Sequence, residues 1–196
     1  MKYKVWMAIP LLLLACGMAR AEEEVVLPVA QFAKQGSDTA EEMMQRLRRA
    51  MKKDMQRNGP ESAMMICKNV APVIAQDLSR ETGWTVRRVS LHPRNVKLAT
   101  ADEWETRVLQ EFEKRAAKGE DPNNIEFGEV VSDAQGKSYR YMRAMWARAV
   151  CLDCHGSASY MRDGVKNKLK LEYPDDQSVE YRVGDVVGGV SIRRPL

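Results

Sequence analysis

Metal-binding side chains are scarce in this chain, which has two histidines and four cysteines in 196 residues. A structural zinc site needs four such ligands. Apart from the first 21 residues and the 151–155 segment, only Cys67 and His92 are left, so a zinc site would have to recruit both of them alongside the two cysteines of that segment. An excess of charge is also absent. Lys2, Lys4 and Arg20 lie in the first 21 residues, and without them the 31 basic residues fall almost level with the 27 acidic ones. A near-neutral chain of this kind implies neither nucleic acid nor a bulk acidic surface as a partner. No internal repeat and no low-complexity tract interrupts it. The chain beyond residue 21 is long enough for one domain with a real core.

The apolar run Val5 to Cys16 is too short to span a bilayer comfortably, and Lys2 and Lys4 precede it. This is the layout of a secretory leader. Ala19-Arg20-Ala21 fits an A-x-A cleavage site, which makes residues 1–21 the signal peptide. Alternatively, Leu13-Leu14-Ala15-Cys16-Gly17 resembles a bacterial lipobox. The leader is then residues 1–15, and a lipidated Cys16 anchors the protein on a membrane surface. Both readings export the chain, to the periplasm or beyond. Only the second involves a membrane.

Cys151-Leu152-Asp153-Cys154-His155 is a CxxCH pentapeptide, the attachment sequence for a c-type haem. Two thiols add across the vinyl groups, and the adjacent imidazole becomes the proximal iron ligand. A redox dithiol is the competing reading, but it expects a thioredoxin-like βαβ surround and leaves His155 without a role. One covalent haem c is therefore the expected cofactor. With Cys151 and Cys154 on haem, Cys67 is an odd thiol in an exported protein and asks for an explanation.

Residues 22–58 read as a linker followed by a helix, and residues 59–196 as the haem domain. Ser37 and Asp38 offer caps for a helix from Thr39 to Asn58. Met43, Met44, Leu47, Met51 and Met55 recur along it at helical spacing, a stripe that suits core packing or the seam of a homodimer. Pro60 opens a second helix that ends at Gly83, with Cys67 on its inward stripe and a kink expected just beyond Cys67 at Pro72. Trp84 to Leu91 is a strand in which Arg87 and Arg88 point to opposite faces, so that one of them can reach a haem propionate. His92 lies in a turn beside Pro93 and is a minor ligand candidate.

Thr100 caps an amphipathic helix to Lys118 whose Trp104, Val108, Leu109, Phe112 and Ala116 form the buried stripe and whose Glu and Arg residues form a solvated face. Glu126 to Asp133 and Ser138 to Ala147 make a hairpin. Ser157 to Tyr173 reads as a loop whose Lys166 to Lys170 run can dock an acidic redox partner. Val179 to Val183 and Val186 to Ile192 read as a closing hairpin.

Cys67 with Val70-Ala71-Pro72, Gly83 to Arg88, Pro93-Arg94-Asn95, Tyr139 to Met142, Cys151 to Gly156, Tyr173-Pro174-Asp175 and Val183-Gly184-Asp185 together resemble a family of exported single-haem domains. That family is typified by a cyanobacterial c-type haem protein with a PAS-like fold, and its members also serve as sensory parts of some histidine kinases. Glu180 stands where the family pattern expects glycine. The resemblance implies an α+β fold with a PAS-like antiparallel sheet flanked by helices, here with an N-terminal helical arm. It implies His155 as proximal ligand and a cysteine, mapping onto Cys67, as the opposite one. Met142, Met145 and Met161 are the alternatives to Cys67, and Arg88, Arg94 and Tyr141 are expected in the haem surroundings.

A His/Cys site suits a redox or gas-ligand sensor, because a thiolate stabilises ferric iron and can leave on reduction. A low-potential electron carrier is the alternative. A peroxidase-like enzyme needs an acid–base residue, and His92 is the one spare histidine. The partner is expected to be a separate redox or signalling protein.

Overall fold

The computed structural model describes residues 29–196. The leader, its two processing readings and Cys16 lie outside the described residues. Four segments rich in β-branched and aromatic residues form strands: β1 (Thr85–Val89), β2 (Glu126–Asp133), β3 (Gly136–Trp146) and β4 (Val186–Pro195). They make one antiparallel sheet in the order β1-β4-β3-β2. The helices are α1 (Val29–Asn58), α2 (Pro60–Met65), α3 (Ala71–Thr82), α4 (Val96–Ala99), α5 (Glu103–Ala117), α6 (Leu152–His155) and α7 (Asp163–Glu172). Among the described residues no helix is long and apolar enough to cross a membrane.

Strand alternation assigns the two faces of the sheet. Tyr139 and Tyr141 of β3, with Val86, Val190 and Ile192, pack against α1 and α3. Met142 and Ala144, with Val89 and Val186, pack against Trp104, Val108, Leu109 and Phe112 of α5. This is the α+β arrangement expected, a sheet covered by helices on both faces.

α1 is already helical at Val29, ten residues before the expected first helical residue Thr39, and is part of the core. Phe32 is fully buried, stacked on Tyr139 at 4.8 Å and edge-on to Trp84 at 5.4 Å. Those contacts carry the helix through Gly36, which local propensity reads as a break. Gly36 also lets α1 pack tightly on the sheet, since a Cβ there would lie 2.7 Å from Tyr141 Cγ. Gly36→Ala gains about 1 kcal/mol of helix propensity, but overpacking costs about 1–3 kcal/mol. The substitution is expected to lower the denaturant midpoint, and Gly36→Val to lower it further. An alanine variant as stable as the parent would show that α1 and β3 can separate freely.

α5 is capped by Asp102, not Thr100. Asp102 Oδ1 accepts the Glu105 N–H and the Glu105 carboxylate accepts the Asp102 N–H, each at 2.8 Å, closing a capping box. The amphipathic pattern puts Glu105 on a solvated face, yet it is only 1 % exposed. Arg140 of β3 is buried beneath the helix and draws both carboxylates, reaching Asp102 at 2.7 Å and Glu105 at 3.3 Å. Burial pushes the Asp102 carboxyl up, but the hydrogen bonds from Arg140 and from the Glu105 N–H more than offset it, so its pKa lies below the ordinary 3.8. A depressed carboxylate pKa stabilises the fold at neutral pH, and the contribution is lost as pH falls through the folded value. Asp102→Ala is accordingly expected to cost about 1–2 kcal/mol near pH 7. The gap to the parent should close in strong acid, as read by denaturation at several pH values.

Two further segments depart from expectation. The basic run belongs to α7, whose Val165 and Leu169 are buried against Met64, Met161 and Tyr173. Val179 to Val183 forms no strand, because its backbone bonds elsewhere: the Glu180 and Tyr181 N–H groups donate to the carbonyls of Gly156 and His155 at 3.2 and 3.0 Å. The closing element is β4 alone.

Candidate functional site

The pentapeptide folds as a short 3₁₀ turn, Ala149–Cys151, running directly into α6. Residues at i, i+3 and i+4 of a helical path share one face, so Cys151, Cys154 and His155 all line the same cavity. Gly156 stops the helix tightly, since a Cβ there would stand 2.7 Å from the Leu152 carbonyl oxygen.

His155 is held in one tautomer. Its Nδ1 lies 2.8 Å from the Ser178 carbonyl oxygen, which can only accept, so Nδ1 carries the proton and Nε2 keeps its lone pair. Burial, with Arg94 nearby, pushes the ring pKa down to about 3, so the imidazole is neutral, as a metal ligand must be. A backbone carbonyl on the far ring nitrogen is the usual orienting device for such a histidine.

Arg94 ties the pentapeptide to the segment that carries Ser178. Its Nε donates to Asp176 Oδ2 at 2.9 Å, and Nη2 donates to the Cys154 and Ser178 carbonyls, the latter at 2.9 Å. Its Nη1 lies 3.4 Å from His155 Nε2. In the same segment, Glu180 is the one non-glycine with positive φ among the described residues, at 63°. The family pattern expects glycine there, and a left-handed backbone is the physical reason.

Facing the pentapeptide is Cys67. It sits within a π-helical stretch, Ile66–Val70, inserted between α2 and α3, in which the Ala71 N–H bonds to the Ile66 carbonyl. The kink expected from Pro72 is therefore a widened turn centred near Cys67, with Pro72 in the first turn of α3 where its missing N–H costs least. Such π turns frequently occur at functional sites. The Cys67 side chain lines the cavity, and its Sγ lies 4.0 Å from Met51 Sδ.

The cavity encloses about 1320 Å³, its open mouth included. Met44, Leu47, Met51 and Met55 of α1 form one wall, so the methionine stripe faces this space. Arg88 lines it too, and no carboxylate or carbonyl among the described residues holds its guanidinium, whereas Arg87 lies 3.7 Å from Glu105 on the other side of β1. A register shift between Met145 and Trp146 breaks the strand alternation, and both side chains reach the cavity.

Of the alternative ligands, only Met145 is in the cavity. Met142 is buried on the α5 side of the sheet and Met161 is buried beside α7. His92 is exposed in its turn. Tyr141, expected in the haem surroundings, is not there: it lies under α1 and its hydroxyl donates to Glu126 Oε2 at 2.6 Å. The physical reason is distance along the strand: Tyr141 shares a face of β3 with Met145 but sits four residues further from the cavity end.

Sequence reasoning missed Ser178 and Asp176. Ser178 acts on His155 through its backbone carbonyl, which leaves no trace in residue type. Asp176 adjoins the Tyr173-Pro174-Asp175 segment, and a buried arginine at Arg94 was the signal that a carboxylate had to be found.

Among the described residues, no three His, Cys, Asp or Glu side chains converge as a cage for a bare ion. The donors instead fit a covalently held haem. Two free thiols share one turn, a neutral imidazole offers Nε2, a thiol stands on the facing wall, the lining is largely apolar, and Arg88 is free for a carboxylate.

Comparison with known proteins agrees in fold. Residues 26–195 match the family described as Tll0287-like. The crystal structure of the cyanobacterial heme-protein Tll0287 superposes with a TM-score of 0.63 at 20 % identity, covering 86 % of this chain and 97 % of that one. The sheet and its flanking helices are thus PAS-like. No curated protein matches the chain.

Proposed function

This chain belongs to the Tll0287-like family, and from that premise we propose that it is an exported c-type haem protein with His155/Cys67 iron ligation, acting as a redox or gas-ligand sensor. The observation that carries the reading is the convergence of Cys151, Cys154, His155 and Cys67 on one cavity. Similarity in fold to a protein described as a heme-protein supports it. When bound, haem supplies an iron that exchanges one electron and takes small axial ligands.

The chain's own residues would divide the work. Cys151 and Cys154 anchor the macrocycle, and His155 Nε2 ligates from the near side with Ser178 orienting the ring. Cys67 supplies an anionic donor from the far side, which favours the ferric state and lowers the potential relative to a thioether. Arg88 pairs a propionate, and the α1 side chains keep water from the Cys67 side. Cys67 is well placed to report a change, because the π turn that carries it joins α2 to α3. An output would pass to a separate partner protein in the periplasm or on the outer face of the cell. His92 is exposed in its turn and does not line the cavity.

A low-potential electron carrier is the second reading. It is favoured by Val150, which lines the cavity yet is 49 % exposed, so an electron partner can approach the pentapeptide side.

The test is EPR with potentiometry on the parent and on Cys67→Ala. The parent should give a low-spin ferric thiolate signal, and the variant should lose it and shift to a higher potential. Identical ferric spectra would remove Cys67 from the iron.

A further inference from the structure

We infer that Met51 is a second, redox-dependent ligand, which takes the iron position that Cys67 leaves on reduction. The inference rests on the His155/Cys67 reading and assigns a ligand role to one member of the α1 methionine stripe, which the sequence pattern reads as packing or a dimer seam. It starts from the sulfur–sulfur contact. Met51 Sδ of α1 and Cys67 Sγ lie 4.0 Å apart, both in the wall that faces the pentapeptide. A donor this close to the resident ligand can replace it by a small side-chain rotation, and methionine, with three rotatable bonds, is suited to that.

Of the other cavity methionines, Met55 makes no sulfur contact with Cys67, and the rest are worse placed. Met64 is 2 % exposed and clamped by Met161, Val165, Leu169 and Tyr173. Met145 is on the central strand β3, and both it and Met44 pack against the Phe32 cluster. Met51 is half-buried at a point where α1 has left the sheet core, and it appears in no core cluster.

The mobility of Cys67 has its own basis. It occupies a π turn, whose i→i+5 bonding holds one residue more than an α turn. Rearrangement of that one turn withdraws the thiol while α2 and α3 stay docked.

Chemical preference sets the direction. Thiolate, an anion, stabilises ferric iron; a neutral thioether favours ferrous iron and raises the potential. The step balances as one electron and one proton. A one-electron donor reduces Fe(III) to Fe(II), the Cys67 sulfur–iron bond breaks, the released thiolate takes a proton from solvent, and the Met51 sulfur–iron bond forms. Oxidation reverses each part.

The experiment compares the haem-loaded parent, Met51→Leu, Met142→Leu and Cys67→Ala by ferric EPR, by absorption and resonance Raman of the dithionite-reduced state, and by CO association. Leucine is close to methionine in volume and keeps the α1 wall filled. The parent is expected to be six-coordinate low-spin when reduced. Met51→Leu should keep the parent's ferric thiolate signal but become five-coordinate high-spin on reduction, bind CO faster and shift to a lower potential, opposite in sign to Cys67→Ala. Met142→Leu, on the α5 face of the sheet and outside the cavity, should match the parent. A reduced Met51→Leu protein that stays six-coordinate like the parent overturns the assignment, as does a parent that keeps thiolate or is already five-coordinate when reduced. If Cys67→Ala leaves the ferric signal unchanged, it is the underlying His/Cys reading that fails, and the two failures are thereby distinguished.

Discussion

Replacing Cys151 and Cys154 together by alanine is expected to abolish covalent haem attachment completely, while each single variant keeps one thioether. Both thiols are free and line the cavity from one helical turn. Burial pushes the Cys154 thiol up to about 11, so it stands as S–H at neutral pH. In thioether formation the sulfur adds to one vinyl carbon and hydrogen to the other, with no external oxidant. Two such bonds from one turn fix the macrocycle relative to His155, which the same turn carries. The readout is pigment that stays with the polypeptide through acid–acetone extraction and denaturing electrophoresis. Coloured double-variant protein after extraction would show that the pentapeptide is not the attachment point.

Arg94→Met is expected to destabilise the fold by about 3–5 kcal/mol, the range for breaking a buried ion pair from one side. Arg94 and Asp176 have side chains only 9 % and 10 % exposed, so the orphaned carboxylate cannot recover its hydration. The variant also removes the donor from the Cys154 and Ser178 carbonyls. Because Ser178 holds His155 in its tautomer, the damage should reach the iron site as well, broadening the ferric EPR signal even where the protein remains folded. Chemical denaturation gives the first quantity. A loss below about 1 kcal/mol, typical of an exposed pair, would mean that this cluster is solvated and does not anchor the pentapeptide.

The motif for the proposed attachment is legible in the sequence because it is local. Two thiols and an imidazole must be near neighbours in the chain to act on one macrocycle, so CxxCH reads directly. The inward Cys67 is legible from helical periodicity and the nearby Pro72. The π turn is not, since proline predicts a disturbed ladder but not how its carbonyls are satisfied. A similar limit hides the start of α1, between Val29 and Ser37. Local propensity there is poor, and it is the contacts of Phe32 with Tyr139 and Trp84 that hold the helix. Glu105 reads as a surface residue in any amphipathic pattern, and Arg140 on another element brings it inside.

The order of residues by itself determined the α+β class, the main strands and helices, and the CxxCH turn on which the proposed haem attachment rests, because periodicity and short-range chemistry are carried by neighbours in the chain. Tertiary structure alone decided which side chains meet. It set Cys67 and Met51 side by side, assigned Arg88 to the cavity and Arg87 away from it, took Tyr141 out of the site, and supplied His155 with a backbone carbonyl. Those pairings depend on sheet register, on the bulge between Met145 and Trp146, and on backbone atoms that every residue shares, none of which residue type encodes.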